Sequence, residues 1–497
     1  MEASAAAEIP GEAPGGAQAS AELRKAPLGA GMKAIYGVGA IADAIYLAAL
    51  GTFLFFYLTL VCGLANSLAG AVISVGLVVD AIADPLVGSL SDNARSRLGR
   101  RHPFMFAGLI PFTLGLGLIF SLPVGLSPGA LALWALAVLI LLRVSHSTWF
   151  LPYIGLGAEL TDDFAERTDV VAARIFIAVP GTLACLFLAR GVFMKGAAGQ
   201  FDRAAYAPFG WACAALALTA GLACAIGTLP ALPRLHAVGA PARKFGAQFV
   251  RDLAEMFANR TFIVVFASLL SMFAGFGLVA TLVLHVYNFF WRLPAWGVTA
   301  ILFATPLGGL LGAPLYLALF RQAEKRTVVI VGLLSYAVIL AALPPLKIFG
   351  LLPSGLPLDL LLLGATFALA IIAACVAIAF QSAMADAADE HEHLFGTRRE
   401  SLYYAGLNFS VKVAAAGGAA VAGVGLDLIG FPTALASKGG MAAHIPPAAI
   451  TRLGLLFGPG GAAIIALSGI IFFAFGLTRS KHEDILASLS ERRRGSV

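Results

Sequence analysis

Charge is what this sequence has least of. Only 12% of its 497 residues are Asp, Glu, Lys or Arg, against about 25% in soluble domains, while 60% are hydrophobic. That balance excludes an ordinary soluble fold and places the chain in a lipid bilayer. Cysteine is scarce too: Cys62, Cys185, Cys213, Cys224 and Cys375 all fall in apolar segments, with no C-x-x-C pair. This excludes a disulfide framework and a thiolate metal centre, and the five read as small core residues. There is no P-loop, no Rossmann glycine pattern and no G-x-S-x-G elbow, so ATP-driven transport by this chain alone is not expected. With no nucleophile–base or metal constellation, an enzyme is not expected either. The first 30 or so residues lack the basic start, apolar core and cleavage site of a signal peptide. Their Ala/Gly/Pro/Glu-rich composition reads as a disordered tail over 1–32, and within the C-terminal tail over 480–497 the basic end, Arg492 to Arg494, reads the same way.

What is present is a series of long apolar runs. A membrane-crossing helix needs about 20 mostly apolar residues. Twelve candidates lie near 34–60, 66–92, 103–122, 129–160, 170–193, 208–233, 260–290, 296–320, 327–346, 356–386, 399–428 and 450–478. Residues 234–259 are more polar and read as a linker with a short amphipathic helix. The layout is therefore a first bundle over 33–233, a linker over 234–259 and a second bundle over 260–479. It predicts an all-α membrane protein, two pseudo-symmetric six-helix bundles on the plan of the major facilitator superfamily. An even number of crossings puts both termini on one side. That side collects Arg24, Lys25, Lys33, the Arg95–Arg101 cluster, Arg167, Arg243, Lys244, Arg251, Arg321, Lys325, Arg326, Arg398, Arg399, Arg479 and Lys481. The other side has Lys195, Arg203, Arg292, Lys347, Lys438 and Arg452. The positive-inside rule then predicts a multi-pass cell-membrane protein with cytoplasmic termini. The net charge of +6 is a property of these loops and no sign of nucleic-acid binding. A monomer is expected.

Charges inside the apolar runs are costly and therefore informative. Asp43 lies in the first run, Asp80 and Asp84 in the second, Arg143, His146 and Ser147 in the fourth, Arg174 near the start of the fifth. Lys412 lies in the eleventh, with Asn408 one turn away. Asp43 and Arg143 can simply pair inside the bundle. Asp92, Glu159, Asp386, Asp389 and Glu400, near predicted helix ends, read as inter-helix salt bridges or caps. Asp80 and Asp84 are harder to dismiss. Four residues apart, they share one helical face and repel unless a cation or a proton sits between them. Their carboxylates with the Ser147 hydroxyl can replace the water of a monovalent cation, or one of them can carry a proton. Lys412 is the expected partner from another helix. Neutralising the pair would change its packing against Lys412 and Arg174, the reciprocal linkage that a symporter needs. His391-Glu392-His393 has metal-like spacing, but it falls in a predicted loop without further ligands and reads as solvated. A faint repeat relates Asp84-Pro85-Leu86 before the Arg95 cluster to Ala313-Pro314-Leu315 before Arg321, Lys325 and Arg326. The second copy lacks the carboxylates.

The stretch Asp80 to Pro103, DAIADPLVGSLSDNARSRLGRRHP, resembles the helix 2 and loop 2–3 signature of the glycoside–pentoside–hexuronide:cation symporters, the melibiose-permease-like branch of the superfamily. Pro152 to Arg174 and Ala385 to Lys412 resemble two further stretches of that family, in order. The resemblance implies a secondary active symporter carrying a sugar or glycoside with sodium or protons by alternating access, without other cofactors. It implies cation-binding roles for Asp80, Asp84 and Ser147. It implies a substrate site near Asp43, Arg174 and Lys412, and the charged and aromatic residues of the runs extend the expected site to Arg143, His146, Phe150 and Asn408. The loop of Asp92, Arg95, Arg97, Arg100 and Arg101 is expected to act as a cytoplasmic latch. Two departures bear on the passenger. Ala83 replaces an asparagine beside the cation pair, and Phe150 replaces a sugar-binding aspartate. An apolar ring accepts no hydrogen bond from a sugar hydroxyl, so an amphipathic or lysolipid-like substrate is the alternative. A membrane scaffold that transports nothing is the remote one.

Overall fold

The structure, a computed structural model, describes residues 27–195, 199–235, 247–319, 323–397, 400–440 and 444–495. The basic residues Arg24, Lys25, Arg243, Lys244, Arg321, Arg398 and Arg399, like most of the N-terminal tail, lie outside the described residues. Twelve helices are long and apolar enough to cross a membrane: α1 (Ala30–Leu54), α2 (Asn66–Asn93), α3 (His102–Ile119), α4 (Pro128–Glu159), α5 (Ala165–Phe193), α6 (Arg203–Gly227), α7 (Arg260–Phe290), α8 (Ala295–Ala318), α9 (Lys325–Ile348), α10 (Leu356–Phe395), α11 (Leu402–Leu428) and α12 (Pro447–Phe472). Four of the starts are capped by short polar residues at the edge of an apolar run. Ser127 accepts from the Ala130 amide, Asp163 from Glu166, Asp202 from Ala204, and Asn259 from Thr261 and Phe262. Each satisfies backbone donors that a helix start leaves open. The linker carries an amphipathic helix at Ala247–Ala258, as its composition predicts.

The packing repeats with a shift of six helices. In the first bundle α1 packs on α5 and α6, α2 on α4, and α3 on α4 and α6; in the second α7 packs on α11 and α12, α8 on α10, and α9 on α10 and α12. The bundles meet along α2 with α11 and, related by the same shift, α8 with α5. The α2–α11 seam is close because its residues are small. A Cβ on Gly70 would lie 2.8 Å from the Ala419 carbonyl oxygen, and Ser74 Oγ donates to the Ala416 carbonyl at 2.7 Å. Small residues that let two backbones approach are the usual adhesive between helices in lipid.

The bundles are shut against each other on the face away from the termini, here called the opposite face. Asp427 of α11 accepts from Asn66 Nδ2 and from the Ser67 amide at the start of α2, both at 2.9 Å. Thr59 and His285 bond across the seam at 3.2 Å, inside a cluster of Phe56, Phe201, Phe289 and Phe431. Gln200 bonds to Asn288. Going toward the terminal face, the last polar ties between the bundles are those of Lys412 to Asp80 and Asp84. Beyond them, among the described residues, no hydrogen bond or ion pair joins the two halves.

Three expectations are corrected. The basic C-terminal segment is helical over Arg479–Gly495 and packs on α10, where Lys481 and His482 meet Glu390 and Asp389 at 3.2 Å. His391-Glu392-His393 belongs to the last turns of α10, which runs nine residues past its predicted end. The two imidazoles diverge, His391 to Tyr403 and His393 to Ser488. Finally, α5 starts before the predicted position 170, so Arg174 sits well inside it instead of near its start.

Candidate functional site

The α2 carboxylates form the centre of a charge cluster between the bundles. Asp80 is 3% exposed. Ser147 Oγ of α4 lies 2.8 Å from Asp80 Oδ1 and 2.7 Å from Asp84 Oδ1, bridging the pair. Lys412 Nζ of α11 sits 2.9 Å from Asp80 Oδ2 and 2.6 Å from Asp84 Oδ2. Arg143 approaches Asp80 at 3.4 Å and donates to the Tyr46 hydroxyl at 3.3 Å. Two carboxylates therefore face two cations, and their formal charges cancel. Gly76, one turn before Asp80, leaves room for this arginine: a Cβ there would lie 3.2 Å from Arg143 Nε and 2.7 Å from Leu139. Arg143 Nε itself is buried without a hydrogen-bond partner.

Asp43 does not pair with Arg143, as the bland sequence reading allows. It bonds to His146 Nε2 at 2.9 Å. The imidazole is held flat between Tyr46 and Phe150, with ring centroids at 4.1 and 5.0 Å. Phe150 thus does the work of an orienting wall, and the polar contact on this side belongs to Asp43. Arg174 on α5 is half-buried and, among the described residues, has no hydrogen-bond or ion-pair partner. Asn408 is exposed, one turn from Lys412 toward the terminal face.

The loop after α2 divides its arginines. Arg100 and Arg101 both grip Glu159 at the end of α4, at 2.7 and 2.9 Å, and Arg101 also meets Asp92 at 2.6 Å. Arg95 and Arg97 are exposed. Among the described residues no hydrogen bond or ion pair takes Arg95, Arg97, Arg100 or Arg101 to the second bundle. The second half of the repeat makes the equivalent grip. Lys325, after α8, holds Asp386 of α10 at 2.5 Å. Of the five end-of-helix carboxylates, Asp92, Glu159, Asp386 and Asp389 have basic partners. The Glu400 side chain lies outside the described residues.

A cavity of about 420 Å³ opens between the bundles. It is lined from α1 by Ala48, Gly51 and Thr52, and from α5 by Thr182 and Leu186. On α1 the lining begins five residues past Asp43, roughly 8 Å along a helix axis. The rest of the wall is largely apolar and aromatic and comes from the second bundle, including Phe276, Tyr287, Trp291, Tyr336 and Phe457. None of the sequence-singled residues lines it. Sequence reasoning searched for charges, and this wall has none. The only local signal is irregular helix geometry, since Gly51, Thr52, Tyr287 and Phe457 sit in π-helical turns. Such turns recur at functional sites.

Comparisons with known proteins give the family and the fold. The family described as MFS/sugar transport protein matches residues 35–479. The chain belongs to that family, which is of the glycoside–pentoside–hexuronide:cation symporter type. A glucuronide carrier protein homolog of Escherichia coli is 24% identical over 461 residues, covering 92% of this chain and 95% of that protein. An uncharacterized symporter of Synechocystis is 36% identical over 176 residues, 34% of this chain. For that relative and for two others, from Bacillus subtilis and E. coli, the match spans only about a third of the relative's length. A D-xylose–proton symporter structure aligns with TM-score 0.59 at 13% identity, over 90% of this chain and 98% of that one. The nucleoside transporter NupG aligns with TM-score 0.58 at 15% identity, over 89% and 98%. At such identities these structures bear on the fold alone.

Proposed function

We propose that this membrane protein is a cation-coupled symporter of a sugar or glycoside. The observation that carries the reading is Lys412, a second-bundle ammonium held by both first-bundle carboxylates, Asp80 and Asp84. It stands where a coupling cation would stand. A sodium ion entering between the carboxylates, or a proton on one of them, competes with Lys412 and loosens α11 from α2 at this depth. Cation binding is then linked to the relative position of the bundles, and the linkage is reciprocal. Ser147 stays in the first bundle and turns its hydroxyl toward either carboxylate. With the termini cytoplasmic, as loop charge predicts, the bundles are closed outside, and inside no hydrogen bond or ion pair among the described residues joins them. Arg95 and Arg97 would complete the latch when the bundles rock to the other state.

The substrate site in this reading is the space between Asp43–His146, Arg174, which has no hydrogen-bond or ion-pair partner among the described residues, and the 420 Å³ cavity. Two polar groups with an apolar, aromatic wall suit a sugar ring, a reading supported by relatives named an isoprimeverose transporter and a putative glycoside/cation symporter. The apolar wall also favours a second reading, an amphipathic passenger with its apolar end in the second bundle. The test is uptake by proteoliposomes under an imposed sodium or pH gradient, offered labelled D-xylose, D-glucuronate, phenyl glucoside or lysophosphatidylcholine. Accumulation of a sugar is expected, and Asp84→Asn abolishes it. Wild-type accumulation by that variant would sink the coupling assignment, and uptake of the lysolipid alone would select the second reading.

A further inference from the structure

The opposite face holds a second cavity, of about 730 Å³, whose chemistry the symport reading does not use. It spans both bundles. Arg190, Lys195 and Gln200 line it from the first, and Asn288, Thr299 and Lys438 from the second. None of its lining residues is acidic. Arg190 is fixed by uncharged acceptors only: Thr299 Oγ1 at 3.3 Å, Gln200 Oε1 at 3.0 Å and the Ala295 carbonyl at 3.1 Å. Two of its five N–H groups remain unused by these bonds. Gln200 and Asn288, each 3% exposed, bond to each other beneath it. Lys195 and Lys438 are exposed at the cavity and have no partner among the described residues.

The surroundings accentuate this. On the same face Arg203 donates to the Leu122 and Pro123 carbonyls, Lys347 to Phe290, and Arg452 to Ile429. Of the carboxylates on this face, Asp202 caps α6, Asp427 holds the start of α2, and Asp359, in the first turn of α10, does not line the cavity. On the terminal face, by contrast, Arg100, Arg101, Lys325 and Lys481 all sit on carboxylates. A pocket with a planar guanidinium, two free ammonium groups and buried amide dipoles is chemically an anion receptor.

We propose that this cavity is an anion-binding site, taking a carboxylate or phosphate group between Arg190, Lys195 and Lys438. An anion there bridges the bundles, so it binds the closed opposite face better than an open one and shifts the protein toward it. The site itself does not depend on cation coupling at Asp80 and Asp84. The anion's source is a soluble acid at the membrane surface or the headgroup of an acidic lipid.

The test uses the full chain in phosphatidylcholine nanodiscs. Thermal unfolding is followed while sodium D-glucuronate or inorganic phosphate is titrated against sodium chloride of equal ionic strength, and again in nanodiscs containing phosphatidylglycerol. A saturable rise in midpoint with a soluble anion is expected. Lys195→Gln/Lys438→Gln removes no hydrogen bond or ion pair among the described residues, and should weaken the apparent affinity roughly tenfold or more, as for the loss of two charge-assisted hydrogen bonds. Stabilisation by phosphatidylglycerol alone, weakened in the same variant, supports the site and assigns its anion to lipid. No saturable effect from any anion, or one the double variant leaves unchanged, overturns the proposal. The effect should persist in Asp84→Asn. Its loss there would move the anion to the central cluster and overturn the proposal, whereas failure of sodium-driven uptake leaves it standing.

Discussion

Lys412 is the residue on which the central cluster turns. Removing it leaves Asp80 and Asp84 facing each other with only Arg143 in opposition, at a depth where uncompensated charge is expensive. Breaking a buried pair by deleting one partner typically costs about 3–5 kcal/mol. We expect Lys412→Gln to be destabilised toward that range in sodium-free buffer at alkaline pH. Sodium or acidification should restore it, because either replaces the lost positive charge. Thermal unfolding with and without sodium at two pH values checks this, and unfolding indifferent to both would contradict it. Glu159 makes the complementary case, a single buried carboxylate under two arginines. Glu159→Gln leaves both cations facing a neutral amide and should also lose about 3–5 kcal/mol, read as a lowered midpoint in denaturant or heat. The ion pairs of both clusters join residues whose charges already stand out in the sequence, since an ionisable group in an apolar run has few ways to exist there. Which charge meets which was not legible. Asp43 takes His146 and leaves Arg143 to Asp80 because Tyr46 and Phe150 clamp the imidazole, a three-dimensional fact that spacing along one helix does not carry.

At the scale of elements, the α2–α11 seam is the joint that the proposed coupling must move. Its closeness depends on Gly70 and the small residues it meets. Gly70→Leu puts a branched side chain against the Ala419 carbonyl, and such overpacking costs about 1–3 kcal/mol. We expect the variant to favour the arrangement open on the opposite face. Thiol labelling of a cysteine placed at Thr59 by a membrane-impermeant reagent, faster than in the Gly70 parent, would show it; equal rates would contradict it. The span of each helix was readable from hydropathy, and the predicted boundaries fall within a few residues of most helices. The exceptions have physical causes. The end of α10 is polar yet helical because His391 is buried against Tyr403 and Asp386 and Glu390 find lysines. The Arg479–Gly495 segment orders because it has α10 to pack on. The π-helical turns that shape the cavity were not legible at all, because they follow from packing between helices and have no sequence signature of their own.

For the whole molecule, the six-helix shift symmetry is broken in one chemically consequential way. The first bundle carries Asp80 and Asp84, and the second has only apolar residues around Pro314 in the matching helix. The grip of basic loop on carboxylate survives in both halves, as Arg100 and Arg101 on Glu159 and Lys325 on Asp386. The repeat was faintly visible in the sequence because the basic loops are. The apolar chamber, assembled from helices of both bundles, was not. One half thus carries the carboxylates of the proposed cation site and the other most of the chamber wall, and Lys412 crosses from the second to meet the first. The measurement closest to this claim is a calorimetric titration of sodium into the purified protein, with proton uptake followed in parallel, for wild type and Asp84→Asn. One sodium ion or one proton is expected to be taken up per wild-type chain in the operating pH range, and neither by the variant. Equal uptake by both proteins would contradict it.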